Sequence, residues 1–382
     1  MNRDTSLKKA LLWAAFLTLS LLPGACRGSG YDEASGKGEA RIVVSFSLPA
    51  GYDGTPSADG YEEGTAAENL IDVENACRVL FFSVHNIYLG SLERQAVASM
   101  DGERYRLYSL SGIPPEDLPS DFKIMIAANW PDMSAIDNAV VGATSIDDIC
   151  HNAFSRFEAP EGFFLDPEQG SLMPMFGIHS YEGVTAAPGT TELKEPVTML
   201  RALAKVEVRF DGDTEEGMPQ VALCGFNTAG YCAPVAVYDQ NDYGQGTDWE
   251  NDYLHRLHLT TPDNNNDADA ASRRILLTPQ TDGAGYSVWT VYIPEYRNLL
   301  ADGSAAPDEA FIEILLPYQN ADETPFRIYF ADYDGATTSD TGLPRRNIER
   351  NNLYRFKVSL QRGELIITTR PWNHRPQPDI QA

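Results

Sequence analysis

The chain has 382 residues, 43% of them hydrophobic, which is enough to bury the cores of two ordinary globular domains. It carries 29 basic and 55 acidic residues, a net charge of −26. A surface this acidic repels phosphate backbones, so the composition excludes a nucleic-acid-binding protein.

Residues 1–25 have the organisation of an export signal. Two lysines precede the apolar segment 11–22, which is too short to span a membrane. The sequence LLPGAC at residues 21–26 resembles a bacterial lipobox, which implies cleavage before Cys26 and lipidation of that cysteine. Pro23 departs from the lipobox pattern, and the alternative is an ordinary secretory signal with an incidental cysteine.

The mature chain is then still more acidic than the precursor. Cleavage before Cys26 removes three basic residues and one acidic residue, which leaves a net charge of −28. Residues 26–40 are small and polar, and we expect them to form a flexible tether. Several acyl chains on one cysteine would anchor the protein stably to a membrane.

The segment 41–48 predicts the first β-strand. Ile42, Val44, Phe46 and Leu48 alternate with other residues and therefore share one face. Burying these four side chains stabilises a fold by about 6–12 kcal/mol, against a whole-domain stability of about 5–15 kcal/mol. A sheet that contains this strand is not expected to survive its loss without a replacement.

The rest of the chain predicts an all-β protein. We place a boundary in the polar segment 192–196, which gives two tandem antiparallel β-sandwich domains, 41–198 and 199–382, with short helices in loops. A helix at 144–153 is expected to begin at Thr144 or Ser145. The other predicted strands are 78–84, 105–110, 122–129, 202–210, 220–224, 234–238, 286–293, 311–316, 326–332, 353–360 and 364–369.

The cysteines and histidines give no pattern of a metal site. Cys224 and Cys232 flank a turn-like segment, and they form either a disulfide across a hairpin or two buried free thiols. His255 and His258 are three residues apart in a polar region, and solvated loop histidines explain them better than a metal site does. The acidic segment 263–269 lacks the glycine and the glutamate of a calcium-binding loop.

No arrangement of nucleophile, base and metal ligands emerges, so we expect no enzymatic activity and no cofactor. Among the tryptophans, Trp289 lies in an alternating strand and is expected in a core, whereas Trp249 lies in a polar loop. Trp249 is therefore the candidate for an exposed ligand contact, such as a stacked sugar.

A series of motifs resembles the fimbrillins of the Bacteroidales, the type V pilin superfamily. No single motif is decisive, but together they cover nearly the whole mature chain. They are GEARIVVSFSL at 38–48, the strand at 78–84, IMIAAN at 124–129, MPMFG at 173–177, LRALAKVEV at 200–208, and IERNNLY at 348–354 with the late Trp372.

This resemblance implies two transthyretin-like β-sandwiches and assembly with other fimbrial subunits by strand exchange. In polymerising members a lipidated precursor reaches the outer membrane, and an arginine-specific protease cuts the loop after the first strand. That strand then leaves, and the C-terminal strand of a neighbour fills its groove, since an open groove exposes backbone donors and an apolar stripe.

The chain departs from that pattern after its first strand. Residues 49–77 contain no lysine or arginine, so an arginine-specific protease has no site there. We therefore expect a lipid-anchored anchor or accessory subunit of the outer membrane that retains the first strand.

Two alternatives remain: a stalk or tip pilin processed by another enzyme, and a surface glycan-binding adhesin. The segment 364–369 is either the last strand of the second domain or a donor strand, and the prolines after it make poor ladder partners.

Overall fold

β-Strands make up most of the regular structure of this chain, as the alternating sequence pattern predicted. The computed structural model describes residues 41–47, 67–101, 104–112, 117–150, 156–158, 170–185, 190–211, 218–234, 266–281, 286–317, 324–338, 342–361 and 364–369.

The strands and helices up to residue 203 form the first half of the chain. They are β1 (Arg41–Ser47), β2 (Cys77–Ser83), β3 (Tyr88–Asp101), β4 (Arg104–Gly112), β5 (Phe122–Ala128), α1 (Ser134–Asp137), α2 (Ile146–Cys150), β6 (Arg156–Glu158), β7 (Met175–Tyr181), β8 (Thr190–Glu192) and β9 (Val197–Arg201).

The described part of the second half contains further strands and a short 3-10 helix. They are β10 (Ala204–Asp211), β11 (Gln220–Cys224), β12 (Ala229–Tyr231), the 3-10 helix Ala270–Ser272, β13 (Arg274–Leu276), β14 (Pro279–Thr281), β15 (Ser287–Ile293), β16 (Phe311–Leu315), β17 (Phe326–Tyr329), β18 (Asp334–Thr337), β19 (Leu353–Gln361) and β20 (Glu364–Thr369).

An eight-stranded sheet organises the first half, in the order β4-β3-β2-β5-β7-β9-β1-β8. β1 also pairs with β4, which closes the strands from β4 to β1 into a ring. Strand β5 is buried at every residue: its apolar side chains pack in the hydrophobic core, and the ammonium of Lys123 donates to the Asn86 side chain at 2.6 Å. Ile136 from α1 and Ile146 and Ile149 from α2 belong to the same hydrophobic core, which we call the first core.

Two sheets build the second half, in the orders β14-β15-β10-β19-β20-β18 and β13-β11-β16-β17. The apolar faces of both sheets contribute to the second core, for example Val206 and Val208 from β10 and Ile312 and Ile314 from β16. Trp289 is 1% exposed in this core, as its place in an alternating strand predicted.

Most strand pairs are antiparallel, but not all of them are. β10 pairs in parallel with β19, and β1 pairs in parallel with β8 and β9. The parallel register puts Glu207 beside Arg355. The alternation along β10 places Glu207 opposite to the face that holds Val206 and Val208, yet Glu207 is 3% exposed because the guanidinium of Arg355 pairs with it in the buried sheet surface.

The two halves are joined by more than the covalent chain. β12 pairs with β6, so a strand of the second half hydrogen-bonds to a strand of the first. Cys232 and Ala233, which follow β12, pack in the first core. Residues 40–382 form one compact unit, and the division into domains at 198/199 therefore stays a prediction.

Most local predictions match the structure within a few residues. α2 begins after Ser145, whose hydroxyl accepts a hydrogen bond from the Asp148 N–H, while the Asp148 carboxylate accepts one from the Ser145 N–H. β20 pairs with β19 and β18, so it is a strand of the second core here. Of the strand predicted at 234–238, residues 235–238 lie outside the described residues.

Candidate functional site: the first strand and its groove

β1 places an apolar stripe in the first core. Ile42 is 3% exposed, and Val44 and Phe46 are 0% exposed, whereas Val43 and Ser45 on the other face are half-buried. This follows from the alternation of side chains along a strand. Leu48, which we placed in the same stripe, lies outside the described residues.

Both backbone edges of β1 are paired. On one edge β1 runs antiparallel to β4, from Val43 opposite Tyr108 to Ser47 opposite Arg104. On the other edge it runs parallel first to β8 and then to β9, where Phe46 lies opposite Val197. β1 is therefore an internal strand that fills a groove between β4 and the β8–β9 segment.

Sequence reasoning missed one wall of this groove. The segment 192–196 was interpreted as a domain boundary, but strands β8 and β9 flank it and pair with β1. Between them the Leu193 N–H donates to the Val43 carbonyl at 3.0 Å. The apolar run VTML at 197–200, which follows Pro196, was the signal that could have indicated a strand.

Removing β1 would leave a groove that binds strands. Unpaired backbone groups of β4, β8 and β9 would line its edges, and the first core would lose three buried side chains. Those side chains are worth roughly 1.5–3 kcal/mol each, or about 5–9 kcal/mol together. An extended peptide of similar alternation is the natural replacement, because it restores both the ladder and the stripe.

Polar contacts hold the residues shortly before β2 against the rest of the protein. Glu68 is 4% exposed, and its carboxylate pairs with the Lys205 ammonium at 2.7 Å and accepts a hydrogen bond from the Tyr292 hydroxyl. The Arg201 guanidinium donates to the neighbouring Asn69 side chain. The segment between β1 and β2 is thus tied at its start by β1 and at its end by a buried carboxylate.

The first basic residue after β1, Arg78, is protected from proteolysis by the sheet in which it lies. Arg78 lies in β2 and pairs with Ala127 of β5, while the pairing of β2 with β3 begins at Leu80. Its side chain is 30% exposed and pairs with Asp137 at 3.1 Å. Proteases cut exposed flexible segments in preference to internal strands, so Arg78 is a poor cleavage site while the fold is intact.

The motif at 348–354 builds the junction between the two cores. The Arg350 and Glu295 side chains are 5% and 2% exposed and form an ion pair at 3.0 Å, and Arg350 also donates to the Cys232 carbonyl. Asn351 adopts a positive φ of 58°, and its N–H donates to the Leu203 carbonyl at 2.9 Å. The motif therefore has a structural role at the junction.

In this structure Cys224 and Cys232 are buried and not joined to each other. The Cys224 thiol donates to the Glu313 carboxylate at 3.3 Å, whereas Cys232 packs in the first core. Burial, followed by the hydrogen bond to Glu313, raises the pKa of Cys224 to about 12. Burial also raises the pKa of Cys232, so the environment of both thiols disfavours the thiolate form.

Three of the sequence-predicted sites lie outside the described residues: Cys26, Trp249 and the histidine pair at 255 and 258. Within the described ranges, no group of three His, Cys, Asp or Glu side chains could hold a metal ion. At the end of the acidic segment 263–269, the Asp267 carboxylate pairs with Arg273 at 2.7 Å. No helix in the described part of the chain is long and apolar enough to cross a membrane.

Similarity to known proteins is found in the three-dimensional structure and not in the sequence. No protein family profile matches the sequence, and no curated protein matches it. The structure resembles the C-terminally truncated tip fimbrial protein Mfa3 from Porphyromonas gingivalis, with a TM-score of 0.53 and 14% identity, over 87% of this chain and 98% of that one. A fimbrial assembly protein from Parabacteroides distasonis aligns with a TM-score of 0.42 and 14% identity, over 86% and 99%.

At these identities the likeness concerns the fold. The tip fimbrial protein, the neighbour above with a TM-score over 0.5, therefore shares its fold with this chain. The all-β architecture expected from the sequence is confirmed.

Proposed function

We propose that the chain is a non-enzymatic structural subunit of a cell-surface fimbria, held at the outer membrane by lipid on Cys26, and that it keeps its first strand. The observation that carries the proposal is the filled groove. β1 is paired on both edges and buries Ile42, Val44 and Phe46 in the first core. We do not expect β1 to dissociate from its groove unless the chain is cleaved on the C-terminal side of the strand.

The segment that follows β1 in the sequence offers no exposed lysine or arginine at which a protease specific for basic residues could cut. Lysine and arginine are absent from Ile42 to Cys77, and the next basic residue, Arg78, lies inside β2. Cutting at Arg41 would release the lipid but leave the strand in its groove. We infer that this chain is an anchor or accessory subunit of the fimbria, because such a subunit stays attached to the membrane.

The mass of the intact protein, extracted from the outer membrane of the native cell, tests this proposal. We expect a polypeptide that begins at Cys26, carries acyl chains and contains residues 41–47. A polypeptide that begins between residues 49 and 78 would overturn retention of the strand. A start at Cys26 without acyl chains would overturn the lipid anchor alone.

A tip subunit is the second candidate function. The tip fimbrial protein from Porphyromonas gingivalis shares the fold along nearly its whole length, which favours this candidate. Immunogold labelling distinguishes the positions: label at the base supports an anchor, label at the free end supports a tip subunit, and label along the fibre supports a stalk subunit.

A further inference from the structure

The outer face of the four-stranded sheet has the composition of a docking surface. Alternate residues of its strands face the second core, including Ile312, Ile314 and Ile328. The residues between them face outward, and neighbouring strands bring them together. They include Arg274, Leu276, Phe311, Glu313, Arg327 and Tyr329, which we call the arginine–aromatic face.

Guanidinium groups and two rings dominate this face, and the Arg345 guanidinium, which pairs with Glu309, lies 4.3 Å from the centre of the Tyr329 ring. The Arg327 guanidinium lies 4.6 Å from the centre of the Phe311 ring, and the Phe311 and Tyr329 ring centres are 5.7 Å apart. The Arg274 side chain is 51% exposed, whereas its partner Glu313 is 14% exposed. Leu276 is 54% exposed. Arginine and aromatic residues are enriched where proteins bind each other, and the accessible charge here is positive.

A positive face is unusual on a chain whose net charge is −26. In the second half, several carboxylates already have a basic partner, such as Asp332 with Arg346 and Asp269 with Arg273. The first half carries a different set of carboxylates at the end of β7 that lies away from the junction.

We call that set the acidic end: Asp121, Glu182 and Glu195. Tyr181, the last residue of β7, lies opposite Phe122, the first residue of β5, so that Asp121 and Glu182 are neighbours. The Asp121 carboxylate accepts a hydrogen bond from Gly183 N–H at 2.8 Å, and both Asp121 and Glu182 are exposed.

The third carboxylate is held beside them. The Tyr181 hydroxyl donates to the Glu195 carbonyl, and the Glu195 side chain, 75% exposed, lies 3.1 Å from His179. Lys194 is exposed in the same connection and makes the net charge of this end less negative without cancelling it.

We propose that the arginine–aromatic face docks the acidic end of a second copy of this chain. The two surfaces lie on different parts of the molecule, so the contact is head-to-tail and each copy keeps one free face and one free end. This contact uses neither β1 nor its groove, and it does not depend on the lipid. Exposed charge pairs are individually weak and screened by salt, so the association is expected at high protein concentration and low ionic strength.

Sedimentation velocity of the full chain carrying Cys26→Ala tests the proposal over a range of protein concentrations. We expect concentration-dependent oligomers at about 0.01 M salt that are lost at about 1 M salt, where the Debye length falls from about 30 Å to about 3 Å. The double variants Arg274→Glu/Arg327→Glu and Asp121→Lys/Glu182→Lys should each be monomeric under all conditions.

The decisive sample combines the two charge reversals. A chain that carries all four substitutions has the same net charge as the parent, and its negative face again complements its positive end. We expect it to associate as the parent does, and an equimolar mixture of the two double variants to associate as well. If Arg274→Glu/Arg327→Glu fails to fold, Arg274→Gln/Arg327→Gln replaces it and should be monomeric.

Two results would overturn this inference. One is a parent chain that stays monomeric at low salt at the highest soluble concentration. The other is an association that survives in both double variants.

Discussion

Phe46→Ala removes the largest buried side chain of β1. Phe46 is 0% exposed in the first core, and the adjacent backbone is paired on both edges. Replacing a buried phenylalanine by alanine costs about 3–5 kcal/mol, because the side chain leaves a cavity that its neighbours only partly fill. That is a large share of the stability of about 5–15 kcal/mol that a domain has. We expect loss of structure in the first core under conditions where the parent chain is folded.

Urea unfolding followed by hydrogen–deuterium exchange mass spectrometry measures this effect. Because the chain has two cores, exchange in β2, β5 and β7 is compared separately with exchange in β10 and β19. Protection should fall in the first set and change little in the second.

The matched control is Ser45→Ala, which lies one residue away on the half-buried face and should stay within about 0.5 kcal/mol of the parent. A loss below about 1 kcal/mol for Phe46→Ala would refute the view that β1 stabilises the first core.

Three further changes test other parts of the molecule. Arg350→Ala leaves the Glu295 carboxylate buried without its partner and should cost about 3–5 kcal/mol in urea unfolding, and a near-neutral result would contradict the role of this pair at the junction. Ser145→Ala removes the cap of α2 and should cost about 0.5–2 kcal/mol in urea unfolding relative to the parent chain, and a change below about 0.3 kcal/mol would contradict the cap. The raised pKa of Cys224, about 12, means that the unfolded chain releases its thiol proton near pH 9 while the folded chain retains it. Stability is therefore complete below about pH 9 and falls as the pH rises towards 12. The urea midpoint should drop between pH 8 and pH 10.5, and Cys224→Ala should reduce that drop; an unchanged drop would assign it to other groups.

Much of the local structure follows from residue patterns that depend on neighbours in sequence. The alternation in 41–48 predicted both the strand and the burial of Ile42, Val44 and Phe46. The polar residues at 144–148 predicted a helix start, which falls at Ser145 with Asp148 as its partner. These features depend on the two-residue period of a strand and on the unsatisfied amides of a first helical turn.

The partners of those elements could not be predicted in the same way. The alternation of β1 does not encode that β8 and β9 form its second edge, because parallel pairing joins segments about 150 residues apart. The segment 192–196 has the composition of a linker, and its position between two strands of the groove depends on the sheet around it. The alternation along β10 puts Glu207 on the polar face of the strand, but the parallel register of β19 brings Arg355 beside it and buries both side chains.

The sequence by itself determined the all-β class, the buried face of the first strand, and the stretch without lysine or arginine that follows it, because each of these is a property of adjacent residues. Only the tertiary structure decided that this strand closes a ring, that Cys224 and Cys232 belong to separate environments, and that arginines and aromatic rings meet on one sheet face. Those features depend on which strands pair and in which register, and the pairing is fixed by the packing of the whole core rather than by any one segment.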